Sequence, residues 1–155
     1  MLNRMAAYCS TAERCTDDIR QKMKNKGLTP EEEQQIIDRL IREKFIDESR
    51  YCKSYINDKL KFSKWGRIKI SYELQKKRIP AALREEALDA INPDQYHQML
   101  LELLTAKKKM TRGKDTRDIY QKLFRFAASR GFESNEISQC LKQLFNNEET
   151  PDDLD

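Results

Sequence analysis

The sequence is poor in residues that build catalytic or nucleotide-binding loops. Its 155 residues include four glycines and one histidine, and no phosphate-binding GxxxxGK motif occurs. Because His97 stands alone beside apolar residues, a Ser-His-acid triad is not expected. Apolar residues nowhere run together for 18 positions, and the N-terminus lacks the apolar segment of a secretion signal. These absences predict a cytoplasmic protein that spans no membrane and is not an enzyme.

Cysteine is too scattered to predict a metal site. No two cysteines form a CxxC pair, whereas zinc sites need clustered sulfur and nitrogen ligands. We expect reduced thiols that pack mostly as small apolar side chains, with no metal and no cofactor. The four cysteines are Cys9, Cys15, Cys52 and Cys140.

The chain does contain one apolar pattern written three times. Each copy has successive spacings of 4, 5, 9 and 3 residues, and the copies begin 51 and then 53 residues apart. Repeats of this size are typical of proteins in which each helical unit stacks on the next. The copies are Ile19, Met23, Leu28, Ile37 and Leu40; Ile70, Leu74, Ile79, Leu88 and Ile91; and Leu123, Ala127, Phe132, Leu141 and Leu144.

These repeats predict an all-α fold of three tandem three-helix repeats, stacked into an elongated, curved array. Thr29 and Asn92 each precede a proline, the arrangement of a capping residue before the first helical position. Gly27 and Gly131 are expected to end helices in the left-handed conformation. The predicted repeats are residues 1–46, 47–92 and 93–146. Nine helices are expected near residues 2–12, 16–26, 30–44, 47–61, 65–77, 80–91, 93–110, 115–130 and 134–146.

Positive charge dominates the body of the chain. The net charge is +4, although the last ten residues carry five acids and no bases. We expect residues 147–155 to form a disordered acidic tail that aids solubility. The alternative is that the tail folds back over a basic face and competes with a polyanion.

The cations concentrate in two segments. Residues 59–69 hold five cations and no acid, and residues 107–117 hold six cations and one acid. Each segment joins the predicted first helix of a repeat to the second, so stacking would display both on one side. This arrangement favours contact with nucleic-acid phosphates over the alternative of a solvated face. The candidate binding residues are Lys59, Lys61, Lys64, Trp65, Arg67, Lys69, Lys107, Lys108, Lys109, Arg112, Lys114 and Arg117.

Two aromatic residues and a glycine lie inside the first basic segment. Phe62 is expected to be buried between repeats, whereas burial and exposure of Trp65 both stay open. Either ring, if exposed, is suited to stacking on an unpaired base. Gly66 is expected to act as a hinge in the loop.

Four segments carry a resemblance through their order and spacing: residues 16–28, 45–56, 65–88 and 125–132. In that order they are similar to the first unit, the following junction, the second unit and the third unit of the RecX family, whose members regulate the bacterial recombinase RecA. The resemblance extends from about Leu2 to Phe145. Arg78 stands where the family commonly has a glycine, so that helix is expected to end in another way.

The resemblance implies a function. RecX-like proteins bind RecA and its nucleoprotein filament on single-stranded DNA, and they lower ATP hydrolysis and strand exchange without an active site of their own. The basic residues become candidates for DNA or RecA contact, and the resemblance favours a monomer. Two alternatives stay open: a general nucleic-acid-binding protein with no recombinase partner, and a helical scaffold for an unrelated partner.

Overall fold

A computed structural model describes residues 1–146, and the regular structure in that range is entirely helical. The prediction of an all-α fold with nine α-helices is therefore confirmed for this part of the chain. The predicted acidic tail, residues 147–155, lies outside the described residues. The helices are α1 (Leu2–Thr11), α2 (Thr16–Met23), α3 (Pro30–Arg42), α4 (Glu48–Asp58), α5 (Arg67–Lys76), α6 (Ala81–Asp89), α7 (Pro93–Met110), α8 (Thr116–Ser129) and α9 (Ser134–Leu144).

The chain divides into two compact units. Unit 1 comprises residues 1–58 and 72–89, and unit 2 comprises residues 59–71 together with the described residues from 90 onward. Both basic segments identified in the sequence therefore belong to unit 2. The boundaries given to the three repeats, residues 1–46, 47–92 and 93–146, stay a prediction from the sequence.

The repeated apolar pattern supplies much of the buried core of each unit. Twelve of its fifteen positions are buried, and Leu28, Ile91 and Leu144 are half-buried. In unit 1, one core cluster contains Met5, Ile19, Met23, Ile37, Leu40 and Ile46. In unit 2, the buried cluster comprises Tyr96, Leu100, Leu104, Tyr120, Leu123, Ala127, Phe132, Ile137, Cys140, Leu141 and Phe145.

The cysteines pack as the sequence predicts. All four are free thiols; Cys9 is half-buried and the other three are buried. Burial raises the pKa of Cys15, Cys52 and Cys140 to about 11. These thiols are therefore protonated at neutral pH and behave as small apolar side chains.

Local signals fix the ends of most helices. The Thr29 hydroxyl accepts a hydrogen bond from the Glu32 backbone N–H at 3.1 Å, and the Asn92 side chain accepts one from Gln95 at 3.0 Å. Gly131 ends α8 in the left-handed region, with φ of 89°. These contacts satisfy backbone groups that a helix leaves unpaired at its termini.

The end of α4 departs from the predicted helix over residues 47–61. The α-helix ends at Asp58, and a π-helical turn follows it over Lys59–Ser63. Lys64 then adopts a left-handed conformation with φ of 56°, and the Trp65 N–H donates to the Lys59 carbonyl at 3.1 Å. This wide turn determines which side chains of the first basic segment face solvent.

The expectation that α5 ends in a different way because Arg78 replaces a glycine is wrong. Arg78 itself takes the left-handed conformation, with φ of 61°. The Ile79 N–H donates to the Leu74 carbonyl at 3.2 Å, the same five-residue separation as Phe132 and Ala127 at the end of α8. The turn is thus retained, with a non-glycine residue held in an unfavourable backbone region.

We therefore predict that Arg78→Gly stabilises the protein. Glycine removes about 1–2 kcal/mol of left-handed strain, partly offset by about 0.5–1 kcal/mol of added unfolded-state entropy. The net gain of about 0.5–1 kcal/mol in unfolding free energy is measurable by urea denaturation. Arg78→Ala is the matched control, since it removes the exposed side chain but keeps the strain. Equal stability of the glycine and alanine variants would contradict this explanation.

Candidate nucleic-acid interface

The first basic segment is organised around Trp65. The Nζ atoms of Lys59 and Lys69 each lie 4.6 Å from the centroid of the indole ring, within cation–π range. Trp65 is half-buried, which answers the question that the sequence left open. The indole thus holds two lysines of the segment in place.

The backbone after Trp65 is fixed against the turn that ends α8. The Gly66 N–H donates to the Arg130 carbonyl at 2.8 Å, and the Ile68 N–H donates to the Gly131 carbonyl at 3.0 Å. Gly66 is buried, and a Cβ atom there would collide with the Gly131 carbonyl. The prediction that Gly66 is a hinge is wrong, because its missing side chain permits close backbone packing.

The Arg67 guanidinium is held by a carboxylate and by an aromatic ring. Its Nη1 lies 2.8 Å from Oε2 of Glu133, and its Cζ lies 3.9 Å from the Tyr96 ring centroid. Partial burial disfavours the charge, but the hydrogen bond and charge of Glu133 outweigh that effect and raise the pKa of Arg67. The Tyr96 hydroxyl donates to the second Glu133 oxygen and accepts from the Arg67 N–H. Arg67 therefore joins the starts of α5, α7 and α9.

The second basic segment spreads over the end of α7 and the start of α8. The Nζ of Lys107 lies 4.8 Å from the Phe126 ring centroid, and that of Lys108 lies 4.3 Å from the Phe145 ring centroid. These two neighbouring lysines therefore cover different aromatic rings. The remaining candidates of this segment are exposed; they are Lys109, Arg112, Lys114 and Arg117.

The acids near the second segment are engaged in local structure. Asp115 caps α8 by accepting a hydrogen bond from the Asp118 N–H at 2.8 Å. Asp118 accepts from the Lys114 backbone N–H and from Lys122, and these interactions lower its pKa. Both carboxylates are therefore satisfied at the helix N-terminus, where negative charge is favourable.

Arg130 joins the two basic segments within unit 2. Its Nη1 donates to the Ser63 carbonyl at 3.0 Å, and its Cζ lies 5.2 Å from the Phe126 ring centroid. Lys107 contacts the same Phe126 ring. Contacts thus run from one segment to the other through an arginine and an aromatic ring. We call this set the basic–aromatic surface; it comprises Lys59, Trp65, Lys69, Lys107, Phe126 and Arg130.

Phe126 and Arg130 were not among the candidates drawn from the sequence. They lie four residues apart along the end of α8, the spacing that places two side chains on one helix face. That spacing was a usable signal, but residues 125–130 show no dense run of cations. Their role is visible only in the structure, where Arg130 donates a hydrogen bond to the Ser63 carbonyl, 67 residues away in the sequence.

Phe62 contradicts the expectation of burial. Its side chain is 73% exposed, and the Lys61 Nζ lies 5.3 Å from its ring centroid. Leu60, two residues earlier, packs against the unit 2 core instead. Residues two positions apart in a helical turn project from roughly opposite sides of it, so the core side cannot accept both.

Residues 1–146 contain neither a cluster of metal ligands nor a membrane-spanning helix. No group of three or more His, Cys, Asp or Glu side chains there is arranged to hold a metal ion. No helix in that range is both long and apolar enough to cross a membrane.

Comparison with known proteins adds family information to this geometry. Residues 47–88 match the family model of the second three-helix domain of RecX, and residues 94–141 match that of the third. The regulatory protein RecX of Prosthecochloris aestuarii is 31% identical over 147 residues, covering 94% of each chain. The RecX of Clostridium tetani is 32% identical over 125 residues, and the match spans 79% of this chain but only 57% of that protein.

Solved structures agree on the fold. The crystal structure of RecX from Lactobacillus salivarius superposes with a TM-score of 0.84 at 21% identity, covering 92% of this chain and 93% of that one. A second RecX crystal structure gives a TM-score of 0.81 at 23% identity, covering 95% of this chain and 71% of that one. The tandem three-helix architecture expected from the repeats is thereby supported, and the chain belongs to the RecX family of regulatory proteins.

Proposed function

We propose that this protein binds the RecA recombinase and its filament on single-stranded DNA, and that it inhibits ATP hydrolysis and strand exchange by RecA. The observation that carries the proposal is the basic–aromatic surface of unit 2, in a chain whose relatives are regulatory proteins. The protein acts by binding and has no catalytic step of its own. We place it in the cytoplasm as a monomer.

The chemistry of the surface suits a nucleoprotein target. Its lysines present positive charge to DNA phosphates, and cation–π contacts hold two of them over an indole and one over a phenyl ring. We assign phosphate or acidic-protein contact to the lysines and remaining arginines among the candidates, and a structural role to Arg67, whose guanidinium forms an ion pair with Glu133. Trp65 contributes by fixing Lys59 and Lys69, and less by direct contact.

The proposal is tested by RecA-catalysed ATP hydrolysis on single-stranded DNA, measured with increasing amounts of this protein. We expect ATP hydrolysis to fall as the protein is added, with no hydrolysis by the protein alone. Unchanged RecA activity at saturating protein would contradict the proposal.

The main alternative is a general nucleic-acid-binding protein without a recombinase partner, which the same basic surface permits. It predicts equal binding to bare and RecA-coated strands and a steep salt dependence as the whole activity. Inhibition of RecA would then disappear once excess bare DNA is supplied.

A further inference from the structure

Phe62 combines high exposure with a fixed backbone. The π-helical turn over Lys59–Ser63 is closed by the hydrogen bond between the Trp65 N–H and the Lys59 carbonyl. The Ser63 carbonyl, one residue after Phe62, accepts from Arg130 at 3.0 Å. A 73% exposed phenyl ring therefore stands on a turn that α8 helps to hold in position. Because this turn is already ordered, little conformational entropy is lost when the Phe62 ring binds a ligand.

The neighbouring aromatic residue is less available to a ligand. Trp65 is half-buried and carries two ammonium groups at 4.6 Å from its ring centroid. Phe62 is approached by one ammonium, that of Lys61, at 5.3 Å. Of the two aromatic rings in the first basic segment, Phe62 therefore has the more accessible face.

The charge around Phe62 indicates what it contacts. Residues 59–69 contain five cations and no acid, so an anionic polymer is attracted to this turn. A single strand offers both phosphates and the flat faces of unpaired bases, whereas a duplex hides those faces in its stack. An aromatic ring beside a lysine therefore suits a single strand better than a duplex.

We propose that Phe62 stacks on an unpaired base and gives unit 2 its preference for single-stranded over double-stranded nucleic acid. This inference rests on the nucleic-acid contact in the proposed function. It adds the residue that distinguishes single-stranded from double-stranded nucleic acid. Lys61 and the basic–aromatic surface supply the phosphate contacts, which do not depend on strandedness.

The test measures binding of the full chain to an oligothymidylate, to an abasic strand of equal length and to a duplex, without any recombinase. Phe62→Ala should weaken oligothymidylate binding about tenfold, as expected for loss of one base–aromatic stack. Binding to the duplex and to the abasic strand should stay within about twofold, and the salt slope should be unchanged because no charge is removed. Phe62→Trp should retain the preference.

Met110 provides a matched control. Its side chain is 72% exposed at the end of α7, beside Lys109, but it has no aromatic face. Met110→Ala removes a comparable exposed apolar group from the other basic segment and should weaken oligothymidylate binding less than twofold. Both variants should keep the wild-type melting temperature, since neither side chain is buried.

Three results would overturn the inference. One is equal weakening of oligothymidylate and abasic-strand binding by Phe62→Ala. Another is unchanged oligothymidylate binding by the Phe62→Ala variant together with intact inhibition of RecA, which would leave the proposed function standing. A third is weakening by Phe62→Ala that appears only when the oligothymidylate measurement is repeated with RecA bound to the strand, which assigns Phe62 to the protein partner. Failure of the proposed function appears separately, as lack of RecA inhibition by the wild-type protein.

Discussion

Replacing Lys61, Lys107 and Lys109 together by glutamine is expected to weaken binding to single-stranded DNA about a hundredfold at roughly 0.1 M salt. Each lost phosphate contact on a single strand removes about 0.7 from the slope of log affinity against log salt, so the slope should fall by about two. Inhibition of RecA-catalysed ATP hydrolysis should weaken in parallel. Fluorescence of Trp65 provides a readout, because it is the single tryptophan and lies in the basic–aromatic surface.

The structure dictates the choice of these lysines. Lys61 and Lys109 are exposed, and Lys107 covers the Phe126 ring that also contacts Arg130. Lys108 is left unchanged because it covers Phe145, a residue of the unit 2 core. Glutamine is preferred to glutamate because it removes the charge without placing a carboxylate against an aromatic ring.

A matched control changes the same number of charges in unit 1. Lys24, Lys26 and Lys53 are exposed there, and their replacement by glutamine should leave the salt slope nearly unchanged. A loss of affinity as large as that of the unit 2 variant would mean that net charge, rather than the position of the unit 2 lysines, governs binding. Unchanged binding of the unit 2 variant would remove these lysines from the interface.

Gly131→Ala is expected to lower the free energy of unfolding by about 3 kcal/mol, with a fall in melting temperature of about 6–12 °C for a chain of this size. Two effects add at this position. A side chain at φ of 89° is strained by about 1–2 kcal/mol. The added Cβ would also collide with the backbone N and Cβ of Lys69, and such overpacking costs about 1–3 kcal/mol.

Two other glycines separate these effects. Gly27 has φ of 77° but nothing within 4 Å of an added Cβ, so Gly27→Ala should show the strain alone. The clash alone should appear in Gly66→Ala, where the added Cβ meets the Gly131 backbone. Urea denaturation followed by circular dichroism measures all three. A Gly131→Ala variant no less stable than Gly27→Ala would contradict the close packing of the two turns.

The sequence predicted the features that depend on neighbouring residues. The caps at Thr29 and Asn92 and the left-handed turn at Gly131 are set within a few positions, so the helix limits there lie close to the expected ones. Most positions of the repeated apolar pattern are likewise buried, as its helical spacing predicted. The family resemblance, which rests on the order of short motifs, was confirmed by independent comparison.

Features that depend on distant contacts were missed. Arg67 and Glu133 are 66 residues apart, and Ser63 and Arg130 are 67 apart, so no local pattern indicates either contact. The role of Gly66 was misread because the Gly131 backbone that packs against it lies in another repeat. Phe62 was misplaced because composition alone does not reveal that Leu60 occupies the core side of the turn.

Binding of this protein to bare single-stranded DNA and to RecA-coated single-stranded DNA, compared over a salt series, tests the account most directly. We predict tighter binding to the coated strand, inhibition of its ATP hydrolysis, and a salt slope that falls in the unit 2 lysine variant but not in its unit 1 control. Equal affinity for bare and RecA-coated strands would contradict the account. So would an affinity for RecA that changes neither with the nucleic acid nor with the lysine substitutions.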